Sequence, residues 1–261
     1  ADDADQPRGI TGDRPRVGRP PDLRPDVSVG DRLALPDVVL GFDDYDAPAA
    51  RLAAQLNVRY AKVAVHRFPD GESRVTVPVP LPARGAMCRS LDHPNDKLVE
   101  TILAAEAARQ NGARSITLIA PYLCYMRQDI AFNPGEAVSQ RIVGGWLADR
   151  FDAVVTVDPH LHRVATLAEA VPAADAVALS AAALFGAFLQ EREPDALLVG
   201  PDEESAQWLV AATRVHPFET AVCRKLRRGD RDVSIDIPNV ALAGRSVVLV
   251  DDMASTGATL A

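Results

Sequence analysis

Short apolar runs alternate with amphipathic segments along most of the chain. Runs of aliphatic and β-branched residues bounded by turn residues predict buried strands, and apolar residues at helical spacing between them predict helices. The predicted strands are residues 38–42, 61–65, 73–79, 115–120, 153–157, 196–199, 221–223, 234–237 and 246–250, and the predicted helices are residues 47–56, 96–110, 136–151, 180–191 and 203–212. This alternation predicts an α/β fold with parallel sheets flanked by helices.

The same pattern divides the chain into three parts. Residues 1–36 show no apolar period and are rich in Asp, Arg, Pro and Gly, which predicts a disordered arm. We place an N-terminal domain at residues 37–165 and a C-terminal domain at residues 166–261. The second domain stops one turn into an expected helix, so we expect it to be truncated at its C-terminal end.

The most informative stretch follows the last predicted strand. Two carboxylates, Asp251 and Asp252, come directly after the strand, and the turn Ser255-Thr256-Gly257-Ala258-Thr259 follows them. Ligands of open α/β sheets bind at the carboxyl ends of the strands, and such a turn offers backbone N–H groups and hydroxyls to a phosphate. The stretch favours a sugar phosphate, with sugar hydroxyls or a divalent metal on the acids. The alternative is that the acids only cap a helix.

Further polar residues gather at turns and strand ends. An arginine pairs with phosphate through two hydrogen bonds, and a glutamine presents both a donor and an acceptor to a base edge. The candidates are Asp70, Gly71 and Glu72 in a Pro-Asp-Gly turn, Arg127 and Gln128 beyond strand 115–120, Asp158 and His160 beyond strand 153–157, Asp202 beyond strand 196–199, and Lys225 and Arg227 in a charged loop. Taken singly, these residues also fit solvated turns, a structural histidine or a solvated hairpin tip.

Composition and charge narrow the range of functions. The formal net charge of −8 argues against non-specific nucleic-acid binding, which needs a basic face. No apolar run approaches the ~20 residues that span a bilayer, so we expect no membrane partner. Cys88, Cys124 and Cys223 are odd in number and far apart, which predicts free thiols in a reducing cytoplasm.

Six phrases in order give the chain a family resemblance from about residue 38 to the end. They are Phe68-Pro-Asp-Gly-Glu72, Pro121-Tyr-x-x-Tyr-x-Arg-Gln-Asp129, Val157-Asp-x-His160, Pro201-Asp202, Lys225-x-Arg227 and Val250-Asp-Asp-Met-x-Ser-Thr-Gly-x-Thr259. With them the chain resembles the ribose-phosphate pyrophosphokinases, also called phosphoribosyl-pyrophosphate synthetases. The resemblance implies two type I phosphoribosyltransferase-like domains, in an enzyme that transfers the pyrophosphoryl group of ATP to the 1-hydroxyl of ribose 5-phosphate and releases AMP.

The resemblance also implies roles for the candidate residues. Asp70, Gly71, Glu72, Arg127 and Gln128 bind ATP; His160, Asp202 and Asp158 bind Mg²⁺; Lys225 and Arg227 are catalytic; and Arg227, Asp251, Asp252, Ser255, Thr256, Gly257, Ala258 and Thr259 bind ribose 5-phosphate. In family members the Asp70–Glu72 loop often serves a neighbouring subunit, which implies a dimer-based homo-oligomer, with a hexamer as one option.

Departures from the family pattern define the branch and the alternatives. Residues 130–136 lack the basic, Ser/Arg-rich segment of the regulated bacterial branch, which indicates the shorter archaeal-like branch and argues against ADP-type control. Ser255 and the pair Glu204-Ser205 stand where many members carry Asp and Gly-Gly. Two other functions stay open: a phosphoribosyltransferase that consumes the activated sugar, and a non-catalytic regulator with the same fold.

Overall fold

The computed structural model describes residues 33–161, 163–227, 233–236 and 240–252. The strands are β1 (Val38–Gly41), β2 (Arg59–Lys62), β3 (Ala64–Arg67), β4 (Ser73–Thr76), β5 (Arg84–Cys88), β6 (Ser115–Ala120), β7 (Ala153–Val157), β8 (Asp175–Leu179), β9 (Leu197–Gly200), β10 (Glu219–Val222), β11 (Arg224–Arg227), β12 (Val233–Asp236) and β13 (Val247–Leu249). The helices are α1 (Asp46–Leu56), α2 (Pro94–Gln110), α3 (Ser139–Ala148), α4 (Leu167–Ala170), α5 (Ala182–Arg192) and α6 (Ala206–Thr213).

A six-stranded parallel sheet forms the first part of the molecule, in the order β2-β1-β5-β6-β7-β8. Every residue of β1 is buried, as expected of a strand covered on both faces. The larger core lies on one face, where Leu40, Leu118 and Leu147 are fully buried, and a smaller cluster around Ala49 and Ala53 places α1 on the opposite face.

An antiparallel hairpin of β3 and β4 projects from this sheet. Arg67 pairs with Ser73 at the tip of the ladder, and residues 68–72 form the connecting turn. Gly71 has a φ of +94°, a conformation that glycine adopts without steric cost. The Pro-Asp-Gly turn predicted from the sequence is therefore the tip of a hairpin.

A smaller parallel sheet, in the order β10-β9-β13, carries α5 and α6 on one face. The core there includes Leu198, Trp208, Leu209 and Val250. The two helices approach closely because Gly186 of α5 lies against α6, where a Cβ atom would stand only 2.7 Å from the carbonyl oxygen of Ala212. The predicted fold class, parallel sheets flanked by helices, is confirmed.

Several elements differ from the sequence-based expectation. The chain forms β5 and β8, which have few β-branched residues and were not predicted, because pairing within the sheet overrides weak intrinsic propensity. Residues 224–227 were predicted as a charged loop but form β11, which pairs with β12. The single strand expected at 61–65 divides into β2 and β3, and β3 leaves the main sheet for the hairpin.

The third helix is shorter than predicted and less buried. It begins at Ser139 instead of Glu136, because the Glu136 carboxylate accepts hydrogen bonds from the backbone N–H groups of Phe132 and Asn133. Two of its large apolar side chains, Ile142 and Trp146, are 44% and 53% exposed. The first sheet continues through β8 to Leu179, beyond the predicted domain boundary at residue 165; the division into domains stays a prediction.

Within the described part of the chain, no helix has the length and apolar character needed to cross a bilayer.

Candidate active site

A cavity of about 360 Å³ lies at the carboxyl ends of β5, β6 and β7. Ser90 follows β5, Tyr122 follows β6 and His160 follows β7, so three neighbouring parallel strands deliver polar groups to one edge of the sheet. Arg127, Asp158 and Asp252 complete the polar lining. A volume of this size suits a small-molecule ligand.

His160 and Asp252 join the two sheets at the cavity wall. The Nδ1 atom of His160, in the loop after β7, lies 2.9 Å from the Oδ2 atom of Asp252, in the segment after β13. An Nδ1–H group donated to a carboxylate fixes the orientation of the imidazole and places the ring's lone pair on Nε2. The contact gives the cavity one wall from each sheet.

Three carboxylates lie close together beside this contact. Burial and the nearby carboxylates of Asp252 and Asp202 together raise the pKa of Asp251 to about 6. The backbone N–H of Asp252, which donates to Asp251 at 2.9 Å, acts in the opposite direction and lowers this pKa. Like charges held together in this way favour a cation or hydroxyl donors between them. The electrostatics therefore match either a metal ion or the hydroxyls of a sugar.

Asp158 and Asp202 already accept hydrogen bonds from the protein. The Oδ1 atom of Asp202 accepts from the backbone N–H groups of Glu204 and Ser205 at 3.1 and 3.3 Å, which caps the turn before α6. Asp158 accepts from Ala181 and Trp208 through its two oxygens. Each Asp158 oxygen has a second lone pair for another donor or a cation, whereas the Oδ1 atom of Asp202 uses both of its lone pairs for the two N–H groups.

The fit of these residues to Mg²⁺ follows from the same geometry. Across residues 33–252, apart from the gaps in the described ranges, no three His, Cys, Asp or Glu side chains converge as a ready metal cage. Magnesium commonly binds one or two carboxylates and takes its other ligands from water and substrate phosphates. The carboxylates of Asp158 and Asp202, which follow β7 and β9, fit a cation held in that way.

Arg127 and Gln128 point to different places. Arg127 lines the cavity, whereas the Gln128 side chain is not among the lining groups. The Nε2 atom of Gln128 donates to Oε2 of Glu136 at 3.1 Å and to the carbonyl oxygen of Ile130 at 3.3 Å. Hydrogen bonds from Asn133, Phe132 and Gln128 lower the pKa of Glu136. Gln128 thus closes the 128–136 loop.

The hairpin residues Asp70, Gly71 and Glu72 are exposed and do not line the cavity. The stem of the hairpin, however, is fixed by a buried carboxylate. Glu100 of α2, which is 1% exposed, accepts from Arg67 and from Ser73 at 3.1 Å each. Arg89, which follows β5, donates to the other Glu100 oxygen at 2.6 Å.

Several relevant residues escaped the sequence-based prediction. Ser90 and Arg89 follow β5, and their position at a strand end became visible only once that strand was known. Tyr122 stood in a quoted phrase without an assigned role. Glu100 gave no signal, because a glutamate in an amphipathic helix is ordinarily exposed.

Some predicted site residues fall outside what the structure describes. Lys225 and Arg227 lie in β11, where only the backbone is described. The turn Ser255, Thr256, Gly257, Ala258 and Thr259 lies outside the described residues.

Parallel sheets whose strand ends carry an arginine, an imidazole and clustered carboxylates define an α/β protein suited to phosphate-bearing ligands. Residues 38–149 match the model of the N-terminal domain of ribose phosphate pyrophosphokinase. The ribose-phosphate pyrophosphokinase of Methanopyrus kandleri is 39% identical over 214 residues, covering 80% of this chain and 72% of the relative. That of Halobacterium salinarum is 34% identical over 215 residues, covering 81% and 74%.

The fold is similar to that of a solved structure as well. The crystal structure of phosphoribosylpyrophosphate synthetase from Mycobacterium smegmatis superposes with a TM-score of 0.72 at 23% identity, covering 86% of this chain and 74% of that one. The chain belongs to the ribose-phosphate pyrophosphokinase family, which confirms the resemblance read from the six phrases.

Proposed function

We propose that the protein transfers the pyrophosphoryl group of ATP to the 1-hydroxyl of ribose 5-phosphate, giving phosphoribosyl pyrophosphate and AMP. The observation that supports this most is the cavity at the first-sheet strand ends, whose wall is completed by Asp252 from the second sheet. A reaction that joins two substrates needs two half-sites facing each other. Relatives named ribose-phosphate pyrophosphokinase support the same reaction.

The described residues divide between the two half-sites. Arg127 binds ATP phosphates at the first-sheet edge, because its guanidinium forms paired hydrogen bonds with phosphate oxygens. Asp251 and Asp252 bind the ribose hydroxyls, and the turn Ser255–Thr259 binds the 5-phosphate. Gln128 contacts the nucleotide only after its amide leaves Glu136.

His160 and Asp202 hold a magnesium ion, with Asp158 nearby. The ion, when bound, neutralises phosphate charge in the transfer. His160 keeps its ring oriented through Asp252, and Asp202 contributes negative charge beside Asp251. A metal-binding measurement by titration calorimetry with Mg²⁺ and a non-hydrolysable ATP analogue, repeated on His160→Ala, tests this assignment.

Lys225 and Arg227 neutralise the charge that grows on the transferred group. We expect Lys225→Ala to lower kcat by about 10²–10³, the range for removing one preorganised donor. Binding of ATP should stay within about twofold, because the lysine acts mainly in the transition state. Near-normal turnover in this variant would refute the assigned role.

Homo-oligomerisation is part of the proposal. Asp70 and Glu72 lie at an exposed hairpin tip away from the cavity of their own chain, which supports a role at a neighbouring subunit's cavity. Mixing a Lys225→Ala chain with an Asp70→Ala, Glu72→Ala chain should restore part of the activity if the hairpin acts between subunits.

A coupled assay tests the function. We expect AMP to form only when ATP and ribose 5-phosphate are both present. Consumption of phosphoribosyl pyrophosphate with a base would instead identify a phosphoribosyltransferase. If neither activity is detected, the non-catalytic regulator with the same fold is the alternative that remains.

A further inference from the structure

The Asp158 side chain connects the first sheet to both helices of the smaller one. It follows β7 directly, and its Oδ2 atom accepts from the backbone N–H of Ala181, the residue before α5, at 2.8 Å. Its Oδ1 atom accepts from the indole Nε1–H of Trp208 in α6 at 3.1 Å. Asp158 therefore satisfies the backbone N–H of the residue that precedes α5, and its negative charge lies at the N-terminal end of that helix.

The backbone at Asp158 is unusual. Its φ is +41°, in the left-handed region that residues other than glycine seldom adopt. Its own N–H donates to the carbonyl oxygen of Leu179, at the end of β8, at 2.8 Å. A strained residue held by several partners at a strand end is typical of functional positions.

Trp208 carries this connection into the core of the second sheet. The indole is 9% exposed and lies in one apolar cluster with Leu198 of β9 and Val250. Val250 immediately precedes Asp251 and Asp252. The core that contains Trp208 also supports Asp251 and Asp252 through Val250. The hydrogen bond from Trp208 therefore connects this core to Asp158, two residues before His160.

We propose that the Asp158–Trp208 hydrogen bond sets the position of the second-sheet half-site relative to the first-sheet half-site. This inference rests on the proposed function and assigns Asp158 and Trp208 as positioning residues. The His160–Asp252 contact and the Asp158–Trp208 bond both connect the two sheets, and Asp158 and His160 line the same cavity. With both in place, the acceptor hydroxyl and the nucleotide meet at a fixed distance.

The test compares two substitutions of the same kind. The chain has two tryptophans, so Trp208→Phe removes the N–H while keeping an aromatic ring in the core, and Trp146→Phe, at a residue 53% exposed on α3, is the matched control. We expect Trp208→Phe to lower kcat roughly tenfold, because small misplacements of reacting groups have large effects on rate. The KM values for ATP and for ribose 5-phosphate should each change less than twofold, because each half-site stays intact.

Measuring the distance between the two sheets' helices shows whether the hydrogen bond fixes their spacing or only adds to the stability of the fold. Nitroxide labels at Glu106→Cys on α2 and Glu191→Cys on α5, both exposed, report the spacing of the two parts, since Cys88, Cys124 and Cys223 are buried. Pulsed electron resonance should show a broader distance distribution in Trp208→Phe and an unchanged one in Trp146→Phe. Asp158→Asn, whose amide cannot accept from both N–H groups in the same way, should broaden it as well.

The outcomes are distinct. Unchanged kcat and an unchanged distance distribution in Trp208→Phe would overturn the proposal. A lower melting temperature with unchanged kcat and spacing would show a purely structural hydrogen bond and would overturn it too. If the unaltered protein forms no AMP, the proposed function fails, while the distance distributions still decide whether the bond fixes the two parts.

Discussion

Side chains at and near the cavity differ in the hydrogen bonds that they make within the protein. Asp202 and Gln128 hold hydrogen bonds within the protein, and so do Asp158 and His160, which also line the cavity with Arg127. A substitution at one of these positions can therefore change a ligand contact, the position of a neighbouring side chain, or both. Kinetic measurements on single substitutions separate the two effects.

Replacing Arg127 by lysine should weaken nucleotide binding. Lysine keeps the charge but loses the planar fork that forms two parallel hydrogen bonds with phosphate. We expect KM for ATP to rise roughly tenfold, about the effect of one charge-assisted hydrogen bond, with KM for ribose 5-phosphate unchanged. Arg141→Lys, at an exposed position of α3, is the control in steady-state kinetics. Equal effects of the two substitutions would contradict the role of Arg127.

Asp251 should make the protein less stable as pH rises. Its pKa in the folded chain is raised to about 6, above the ordinary value of 3.8, so the folded state binds more protons between these values. The free energy of unfolding therefore decreases as pH rises from about 4 to 6, and the penalty is complete above pH 6. Asp251→Asn removes the charge and should raise stability at pH 8 by roughly 1 kcal/mol, a modest value because solvent screens this partly exposed carboxyl.

Urea unfolding at pH 4 and pH 8 measures that effect. We expect the full gain at pH 8 and little of it at pH 4, where the carboxyl is protonated in the folded state and partly protonated in the unfolded chain. The same substitution should abolish sugar-phosphate binding. A gain of equal size at both pH values would point to packing instead of charge.

At the scale of elements, the β3–β4 hairpin depends on helix α2. Glu100 contacts Arg67 and Ser73 on the two hairpin strands and Arg89 beside the cavity, so one carboxylate fixes three segments. Arg89 is 3% exposed, also contacts Asp44 at 3.0 Å and lies over the Phe42 ring at 4.3 Å. Such buried charges are tolerated only because they are paired.

Glu100→Gln should therefore destabilise the protein strongly. The amide removes the charge that compensates Arg89 and Arg67, and we expect a loss of about 3 kcal/mol, the lower end for breaking a buried ion pair. Glu106→Gln, on an exposed position of the same helix, is the matched control and should change stability by less than about 0.5 kcal/mol. Chemical denaturation with both variants measures the difference. Equal stabilities would mean that Asp44 alone compensates Arg89.

Elements and site were predictable to different degrees. Strand β1 is a continuous apolar run buried at every residue, and β6 and β7 are mostly apolar with at least every second residue buried, so all three are easy to recognise. Strand β5, Arg84-Gly-Ala-Met-Cys, has no β-branched residue and depends on its neighbours in the sheet.

Part of the site could likewise be predicted from local sequence, and part depends on packing between distant segments. Parallel strands end at one edge, so Arg127 and His160 could be placed together from sequence. The contact of His160 with Asp252, 92 residues apart, and the turning of Gln128 toward Glu136 depend on packing between segments that no local pattern encodes.

At the scale of the whole molecule, each sheet has its own main hydrophobic core, and polar contacts such as the one between His160 and Asp252 join the two sheets. The first core surrounds Leu40 and Leu118, and the second surrounds Leu198 and Leu209. Interfaces of this kind between packed bodies permit small relative motions.

The alkylation rates of the three buried cysteines can report how often each sheet opens. Burial raises the pKa of Cys88 to about 11 and of Cys124 to about 12, and it also raises that of Cys223 beside the smaller sheet. Alkylating reagents attack the thiolate, so all three should react slowly until their surroundings open. Because Cys88 and Cys124 lie with the six-stranded sheet and Cys223 with the three-stranded one, mass spectrometry of timed iodoacetamide quenches would tell which body opens first.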